Sequence, residues 1–362
     1  MGLIRILFLA DTHLGFDLPF RPRVERPRRG PDFFNNFRTA LEPALRGEAD
    51  AVIHGGDLLF RSRVPARLVD MALEPLKAVA DAGVPVFLVP GNHERSRIPY
   101  GVLSRHPNLH IFDRPRTFSL MVGRLNLALA GFPYVRDGIR RRFPEVLEAT
   151  GWREAAAACD AVMLCLHHCF ESARVGPQNH TFRTAADVAR HADVPPGITA
   201  VLSGHIHRGQ ALRQDLQGKR LATPILYPGS VERTSFAERE EIKGYLWLKL
   251  RGGGPGIAPR LTWEFVRLPT RPMVRLEIAV DGVGPEALTH RIREGLAGLE
   301  PRAVVQLRVK GRVTDAARPV LRAAALRAMA PPDTIVQLAL DRHHKDRGAD
   351  RHHEERSDEV IS

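Results

Sequence analysis

Five short apolar runs in the N-terminal part of the chain each end abruptly in small and polar residues. They are "LIRILFLADTH" (3–13), "DAVIHGGD" (50–57), "VPVFLVPGNHE" (84–94), "DAVMLCLHH" (160–168) and "ITAVLSGHIH" (198–207). Runs of about 4–8 apolar, β-branched-rich residues bounded by Gly or Pro read as buried strands. Helical stripes lie between some of them. "DFFNNFRTALEPAL" (32–45) spaces Phe33, Phe34, Phe37 and Leu41 on one face. "PARLVDMALEPLKAVADAG" (65–83) does the same with Leu68, Met71, Ala72, Leu76 and Val79 before a glycine stop. Strands alternating with helices, with polar residues just past the strand ends, predict an α/β layered core whose site lies at the carboxyl edge of the strands.

Residues 211–268 change character and read as β-hairpins and edge strands, with a Gly/Pro loop at 252–259. The two prolines of "RLPTRP" (267–272) mark a boundary. Beyond it the pattern is strand 273–280, helix 285–299, strand 303–309, helix 315–329 and strand 334–340, a small βαβαβ module. The expected organisation is therefore a large domain over 1–270, a second domain over 271–340 and a polar tail over 341–362. The tail, "DRHHKDRGADRHHEERSDEVIS", has no apolar periodicity and is expected to be disordered.

Apolar residues make up 44% of the chain and charged ones 26%, which suits a soluble globular protein. No apolar run approaches the roughly 18 residues of a membrane span. The N-terminus runs straight into Asp11 and His13 without a small-residue cleavage site, so it reads as a first strand and not a signal peptide. Cys159, Cys165 and Cys169 are an odd set with no disulfide framework, which points to the cytoplasm. The net charge is +12, an invitation to a polyanion such as nucleic acid, although a genome that favours Arg produces the same excess.

The residues after the runs are Asp11 and His13, Asp57, Asn92 and His93, His167 or His168, and His205 and His207. Taken singly, a His or Asp at a strand end is usually a cap or a turn residue. Repetition of the same context five times asks for another explanation. Carboxylate, amide and imidazole donors suit Mn, Fe or Zn, and none of them is soft. Asp-x-His and His-x-His on an extended strand would place i and i+2 on one side, facing one cluster. The glycines of "GGD" and "GNH" would let backbone and ions approach closely. Seven nitrogen and oxygen ligands with Asp57 shared suit two ions about 3.5–4 Å apart. In "MLCLHHCF" (163–170) the ligand can be either histidine, and a Cys-His-Cys clasp is a further local option that lacks a fourth ligand.

"DTH", "GGD", "GNHE", "LHH" and "GHIH" stand in the order of the calcineurin-like metallophosphoesterase signature, which this chain resembles over residues 11–207. Within that superfamily "ADTHLG", "GGDLL", "LSGHIH" and "YPGSVERTSFAEREEIKGY" (227–245) look most like the SbcD-type DNA repair exonuclease subunits, a likeness extending over about 1–340. The resemblance implies a layered β-sandwich flanked by helices, with 271–340 as a small α+β capping domain. It also implies a site in which Asp11, His13 and His207 hold one divalent ion, Asn92, His167 and His205 a second, and Asp57 bridges them. Mn2+ is the expected metal, with Fe, Zn and Mg as the others. His93 is implied to be the catalytic residue that stabilises or protonates the leaving oxygen, and a metal-activated water the nucleophile. Glu94 either orients His93 or caps the following segment. His167 follows the family's apolar "L-H", while His168 faces the other way and Cys165 packs as a small hydrophobe.

The implied function is a cytoplasmic DNA exonuclease that hydrolyses phosphodiester bonds in repair; a small-diester phosphodiesterase or phosphatase on the same core competes with it. The implied partners are DNA, a second copy of the chain and a coiled-coil ABC/SMC-like ATPase, although no docking element for the ATPase is visible. Many relatives carry a histidine where this chain has Phe60, which puts endonuclease capability in doubt. Arginines near the motifs, those of "RPRVERPRRGP" (21–31) with Arg61, Arg63, Arg95, Arg97 and Arg208, are read as a phosphate-backbone contact.

Overall fold

A computed structural model describes residues 2–94, 103, 105–253 and 257–339. The chain divides into two compact units, Met1–Arg271 and Pro272–Ser362. In the first, β1 (Leu3–Leu9), α1 (Gly30–Leu45), β2 (Ala51–His54), α2 (Ala66–Asp81), β3 (Val86–Leu88) and β4 (Leu109–Ile111) are followed by β5 (Arg116–Val122) and β6 (Leu125–Gly131). Next come α3 (Ile139–Glu148), α4 (Trp152–Ala158) and β7 (Ala161–Leu166). Short strands β8 (Cys169–Phe170), β9 (Arg174–Val175), β10 (His180–Thr181) and β11 (Val188–Ala189) lead to β12 (Ala200–Ser203). Two hairpins close the unit, β13 (Gln210–Gln214) with β14 (Arg220–Tyr227) and β15 (Gly244–Arg251) with β16 (Arg260–Arg267).

These strands form two six-stranded sheets, ordered β16-β15-β1-β2-β3-β4 and β13-β14-β12-β7-β6-β5. The middle of each sheet is parallel, β1 to β4 in one and β14, β12, β7 and β6 in the other, so their carboxyl ends share an edge. β1 shows why the sequence runs apolar without alternation: both its faces are buried. Ile4, Ile6 and Phe8 enter the core between the sheets with Met163, Cys165 and Leu202, while Leu7 and Leu9 pack outward with Phe33, Phe37 and Leu76 of α1 and α2. On the far side of the second sheet, Val162, Leu164 and Leu166 pack with Phe143, Val146 and Trp152 of α3 and α4. The result is a β-sandwich with helices on both outer faces, the layering the sequence implies.

In the second unit, β17 (Met273–Ala279), β18 (Val304–Lys310) and β19 (Ile335–Ala339) make a three-stranded parallel sheet. Leu288, Ile292 and Leu296 of α5 (Pro285–Ala297) and Leu326 of α6 (Ala323–Met329) join its core. The expected helix over 315–329 is shorter: a 3-10 turn at Arg318–Leu321 precedes α6, with Arg322 extended between them. Pro319 has no N–H to donate back along such a helix, and its ring clashes with the preceding turn. The expected tail, 341–362, lies outside the described residues.

Candidate metal centre

All five motifs leave the two sheets at the shared carboxyl edge, but not as extended strand. β1 ends at Leu9, and Asp11 and His13 follow it in left-handed backbone, at φ 51° and 42°. Asp57 (φ 52°) and His205 (φ 83°) are left-handed too. The expectation that pleat geometry pairs Asp11 with His13 and His205 with His207 is therefore corrected: tight loops do it. Each such residue costs on the order of 1–3 kcal/mol, so its surroundings must hold it there. Backbone pairing supplies part of the hold. The amides of Asp11, His13 and Leu14 donate to the carbonyls of Gly56, Asp57 and Leu58 at 2.9, 3.1 and 2.9 Å.

A buried hydrogen-bond chain supplies more. Gly56 N donates to His54 Nδ1 (3.2 Å), His54 Nε2 meets Thr12 Oγ1 (3.1 Å), and Thr12 Oγ1 donates to Leu58 O (3.0 Å). Because Nδ1 accepts, Nε2 carries the proton, and the fully buried imidazole bolts one ligand loop to the other. Glu94 holds the next pair of loops. Its buried carboxylate accepts from Asp57 N (2.9 Å), Leu59 N (2.9 Å) and Gly91 N (2.7 Å). These bonds make Glu94 a brace for Asp57, a role neither expectation for it anticipated; the capping alternative concerns residues 95–102, outside those described. Burial and then Asp57 push the Glu94 carboxyl up to about 8, against the pull of the Leu59 and Gly91 amides. The glycines matter by proximity. A Cβ on Gly56 would lie 2.4 Å from His167 Nδ1, and one on Gly91 2.3 Å from Asp57 Oδ1.

Seven side chains expected as ligands converge here, with His93 beside them. His13 Nε2 and His207 Nε2 face each other at 2.9 Å, and both rings lie with Asp11 in a cluster whose ligand atoms are within 4.8 Å. Asn92 Oδ1 is 3.0 Å from His167 Nε2 and 3.2 Å from His205 Nδ1. Asp57 Oδ2 is 3.3 Å from His167 Nε2 and 3.6 Å from His93 Nε2. Asp57 thus belongs to two donor clusters, one with Asp11 and His167 and one with His13 and His93. A cation fits this donor set. Ring nitrogens meet head to head beside carboxylates, and the other nitrogen of His13, Nδ1, is buried with no hydrogen-bond partner among the described residues. His93 and His207 keep 34% and 27% of their side chains exposed while Asp57 and His167 keep 3% and 0%, so solvent reaches the cluster from the His93 side.

Residues 4–209 match the calcineurin-like phosphoesterase family model. The chain belongs to the calcineurin-like phosphoesterases. Two curated relatives are DNA double-strand break repair proteins Mre11. That of Aeropyrum pernix is 27% identical, covering 82% of this chain and 69% of the relative. That of Haloferax volcanii is 30% identical, covering 87% and 64%. The Mre11 protein of Methanosarcina mazei, at 29%, is matched over only 45% of its own length. The chain thus spans between about half and two-thirds of these relatives.

In this calcineurin-like phosphoesterase the electrostatics suit a cation. Burial, then His207, holds His13 well below the usual imidazole range, and burial, then His167, lowers His205 to about 3. Both rings are therefore neutral and ready to donate lone pairs. His167 differs: burial opposes its charge, but Asp57, followed by Asp11, raises it to about 9. Burial likewise opposes the Asp57 carboxylate, and His167 and then His93 hold it well below its usual range. Burial raises Asp11 to about 6.

The rings of the paired histidines point to different partners. Ser203 Oγ and Tyr227 Oη both donate to His168 O, at 2.8 and 3.1 Å, and break the strand there. His167 Nδ1 donates to Gly55 O at 2.7 Å, leaving Nε2 for the cluster. His168 points away, accepting from Val135 N at 3.0 Å and stacking on Tyr134 with centroids 4.8 Å apart. Cys165 lies in the core between the sheets and Cys169 in the outer core, so they share no face and form no clasp.

Several motif-adjacent arginines are held internally, which corrects part of the basic-patch reading. Arg26 and Arg28 pair with Asp17 at 2.5 and 3.1 Å. Arg29 is buried, 3.6 Å from Glu232 and bonded to Arg233 O, and Arg208 pairs with Glu241 at 3.1 Å. Arg21, Arg23 and Arg63 remain exposed, and Arg95 and Arg97 lie outside the described residues. Sequence reasoning missed His54, Glu94's brace and Glu238, whose Oε1 is 3.2 Å from His207 Nδ1. Glu238 sits inside "YPGSVERTSFAEREEIKGY", but spacing cannot say which of its carboxylates faces the site.

Proposed function

We propose that the chain is a DNA repair exonuclease that hydrolyses phosphodiester bonds with two divalent ions, Mn2+ foremost. The observation that carries this reading is the convergence of Asp11, His13, Asp57, His167 and His207, joined by Asn92 and His205, on one solvent-facing cluster in which Asp57 belongs to two donor groups. Asp11, His13 and His207 would hold one ion, Asn92, His167 and His205 the other, and Asp57 both. Bound there, divalent ions neutralise phosphate charge and lower the pKa of water.

The protein's own residues do the rest. The braces at His54 and Glu94 fix Asp11, His13 and Asp57 in strained backbone, so the ligand geometry is set before substrate arrives. His93, half-buried with Nε2 3.6 Å from Asp57 Oδ2, would give a proton to the departing oxygen. Exposed Arg21, Arg23 and Arg63 lie just past ligand motifs and would grip a phosphate backbone without reading sequence. The DNA substrate draws support from the Mre11 relatives, which are DNA double-strand break repair proteins; a homodimer and a coiled-coil ABC/SMC-like ATPase partner rest on the resemblance to the SbcD-type subunits. In this reading 1–270 is the nuclease domain, 271–340 the capping domain, and the site of action the cytoplasm.

The test is cleavage of end-labelled duplex and single-stranded DNA in Mn2+, beside bis-p-nitrophenyl phosphate and a cyclic dinucleotide, with Asp57→Ala and His93→Ala controls. The proposal expects nucleotide release from DNA ends that both variants abolish. DNA left intact while a small diester is cleaved in a His93-dependent way would refute it.

A further inference from the structure

The segment after β14 has no place in the chemistry above, yet it grips one histidine of the cluster at two points. His207 Nδ1 donates to Glu238 Oε1 at 3.2 Å. Thr234 Oγ1 donates to the same oxygen, and Thr234 N reaches Oε2 at 3.3 Å. Lys243, fully buried, places Nζ 2.6 Å from Glu238 Oε2 and 2.9 Å from Glu241 Oε2. The same ammonium donates to the backbone carbonyl of His207 at 2.9 Å. Ring and main chain of His207 are thus held by one charged network, closed by Arg208 on Glu241.

The consequence is a fixed tautomer. With Nδ1–H committed to a carboxylate, His207 turns Nε2, unprotonated, towards His13 Nε2. No such carboxylate backs the corresponding nitrogen of His167, whose Nδ1 donates to the neutral Gly55 carbonyl. A full negative charge makes the opposite imidazole nitrogen a stronger donor than a carbonyl dipole does. The two halves of the cluster are therefore built unequally.

We propose that Glu238 is a positioning residue that sets the metal affinity of the Asp11/His13/His207 position selectively, making the two metal positions inequivalent. This rests on the two-metal reading of the site. Lys243 is its anchor, keeping the carboxylate on His207 and compensating its buried charge.

The test is calorimetric titration of the full chain with Mn2+, wild type against Glu238→Gln, with bound metal counted by mass spectrometry. Glutamine keeps the shape and an acceptor oxygen for His207 Nδ1, removes the charge, and turns the oxygen that faces Lys243 and the Thr234 amide into an NH2. Wild type should take up two ions in distinguishable steps. Glu238→Gln should weaken one step by about 10–100-fold and leave the other within about twofold. The weakened step should be the one that His13→Ala abolishes. Two unchanged steps, or two steps weakened alike, would overturn the proposal. Wild type binding fewer than two ions would overturn the two-metal reading and this proposal together. Should Glu238→Gln fail to fold, nitrogen-15 imidazole spectra of zinc-loaded wild type decide: the inference requires a proton retained on His207 Nδ1, and a bare Nδ1 contradicts it.

Discussion

Glu94 offers the sharpest test of how the centre is held together. Truncation in Glu94→Ala leaves the buried amides of Asp57, Leu59 and Gly91 without their acceptor. Each buried donor left unsatisfied costs about 1–3 kcal/mol, which sets an upper bound of roughly 9 kcal/mol before the loops relax or water enters. That bound is comparable with the whole stability of a typical domain, about 5–15 kcal/mol. Glu94→Gln is milder. Its carbonyl oxygen can replace Oε2 and keep the Asp57 and Gly91 amides, while its NH2 then faces the Leu59 N–H; the loss is near one amide, about 1–3 kcal/mol. Urea unfolding of the metal-free protein measures both. The Gln variant should also bind Mn2+ more weakly, since Asp57 at φ 52° loses part of its brace. The pH dependence has a definite sign. A carboxyl raised to about 8 takes up a proton on folding, so its stabilising effect is present in acid and fades as pH rises through 8. That slope should vanish in Glu94→Gln. An alanine variant within about 1 kcal/mol of wild type, still binding two ions, would refute the brace.

Three further outcomes are expected. His167→Ala should lose one of two bound Mn2+ ions, whereas His168→Ala should keep both and lose about 1–3 kcal/mol of stability because the Val135 amide loses its acceptor; the reverse pattern in metal counts would reassign the ligand. With His167 raised to about 9, the metal-free protein carries a proton there at pH 7.5 that a cation must expel. Mn2+ titrations in buffers of different ionisation enthalpy should therefore reveal proton release, and affinity should fall as pH falls; a pH-independent affinity would contradict this. Replacing Arg21, Arg23 and Arg63 together by Ala should weaken duplex binding and make the salt slope shallower by up to about 0.9 per residue. An unchanged slope would remove these loops from the DNA path.

The sequence shows the strands and the ligands clearly because each ligand follows a run buried on both faces, as β1 does with Ile6 inward and Leu7 outward. The spacing of "DTH" reads as an extended strand pair, but spacing cannot reveal that Asp11 and His13 are both left-handed. That conformation is imposed by Gly56, Asp57 and Leu58, more than forty residues away. The residues around the ligands were hidden for the same reason. His54 reads as the last residue of a strand until its ring is seen between Thr12 and Gly56. Arg29 and Arg208 look like a polyanion surface until Glu232 and Glu241 close on them. Pro319, by contrast, carried a local signal against the long helix at 315–329 that the apolar pattern outweighed.

Diffraction from Mn2+-soaked crystals at the manganese absorption edge addresses the central claim most directly. The account predicts two anomalous peaks per chain, one ringed by Asp11, His13 and His207, the other by Asn92, His167 and His205, with the Asp57 carboxylate touching both. A single peak, or a second peak away from Asp57, would contradict it.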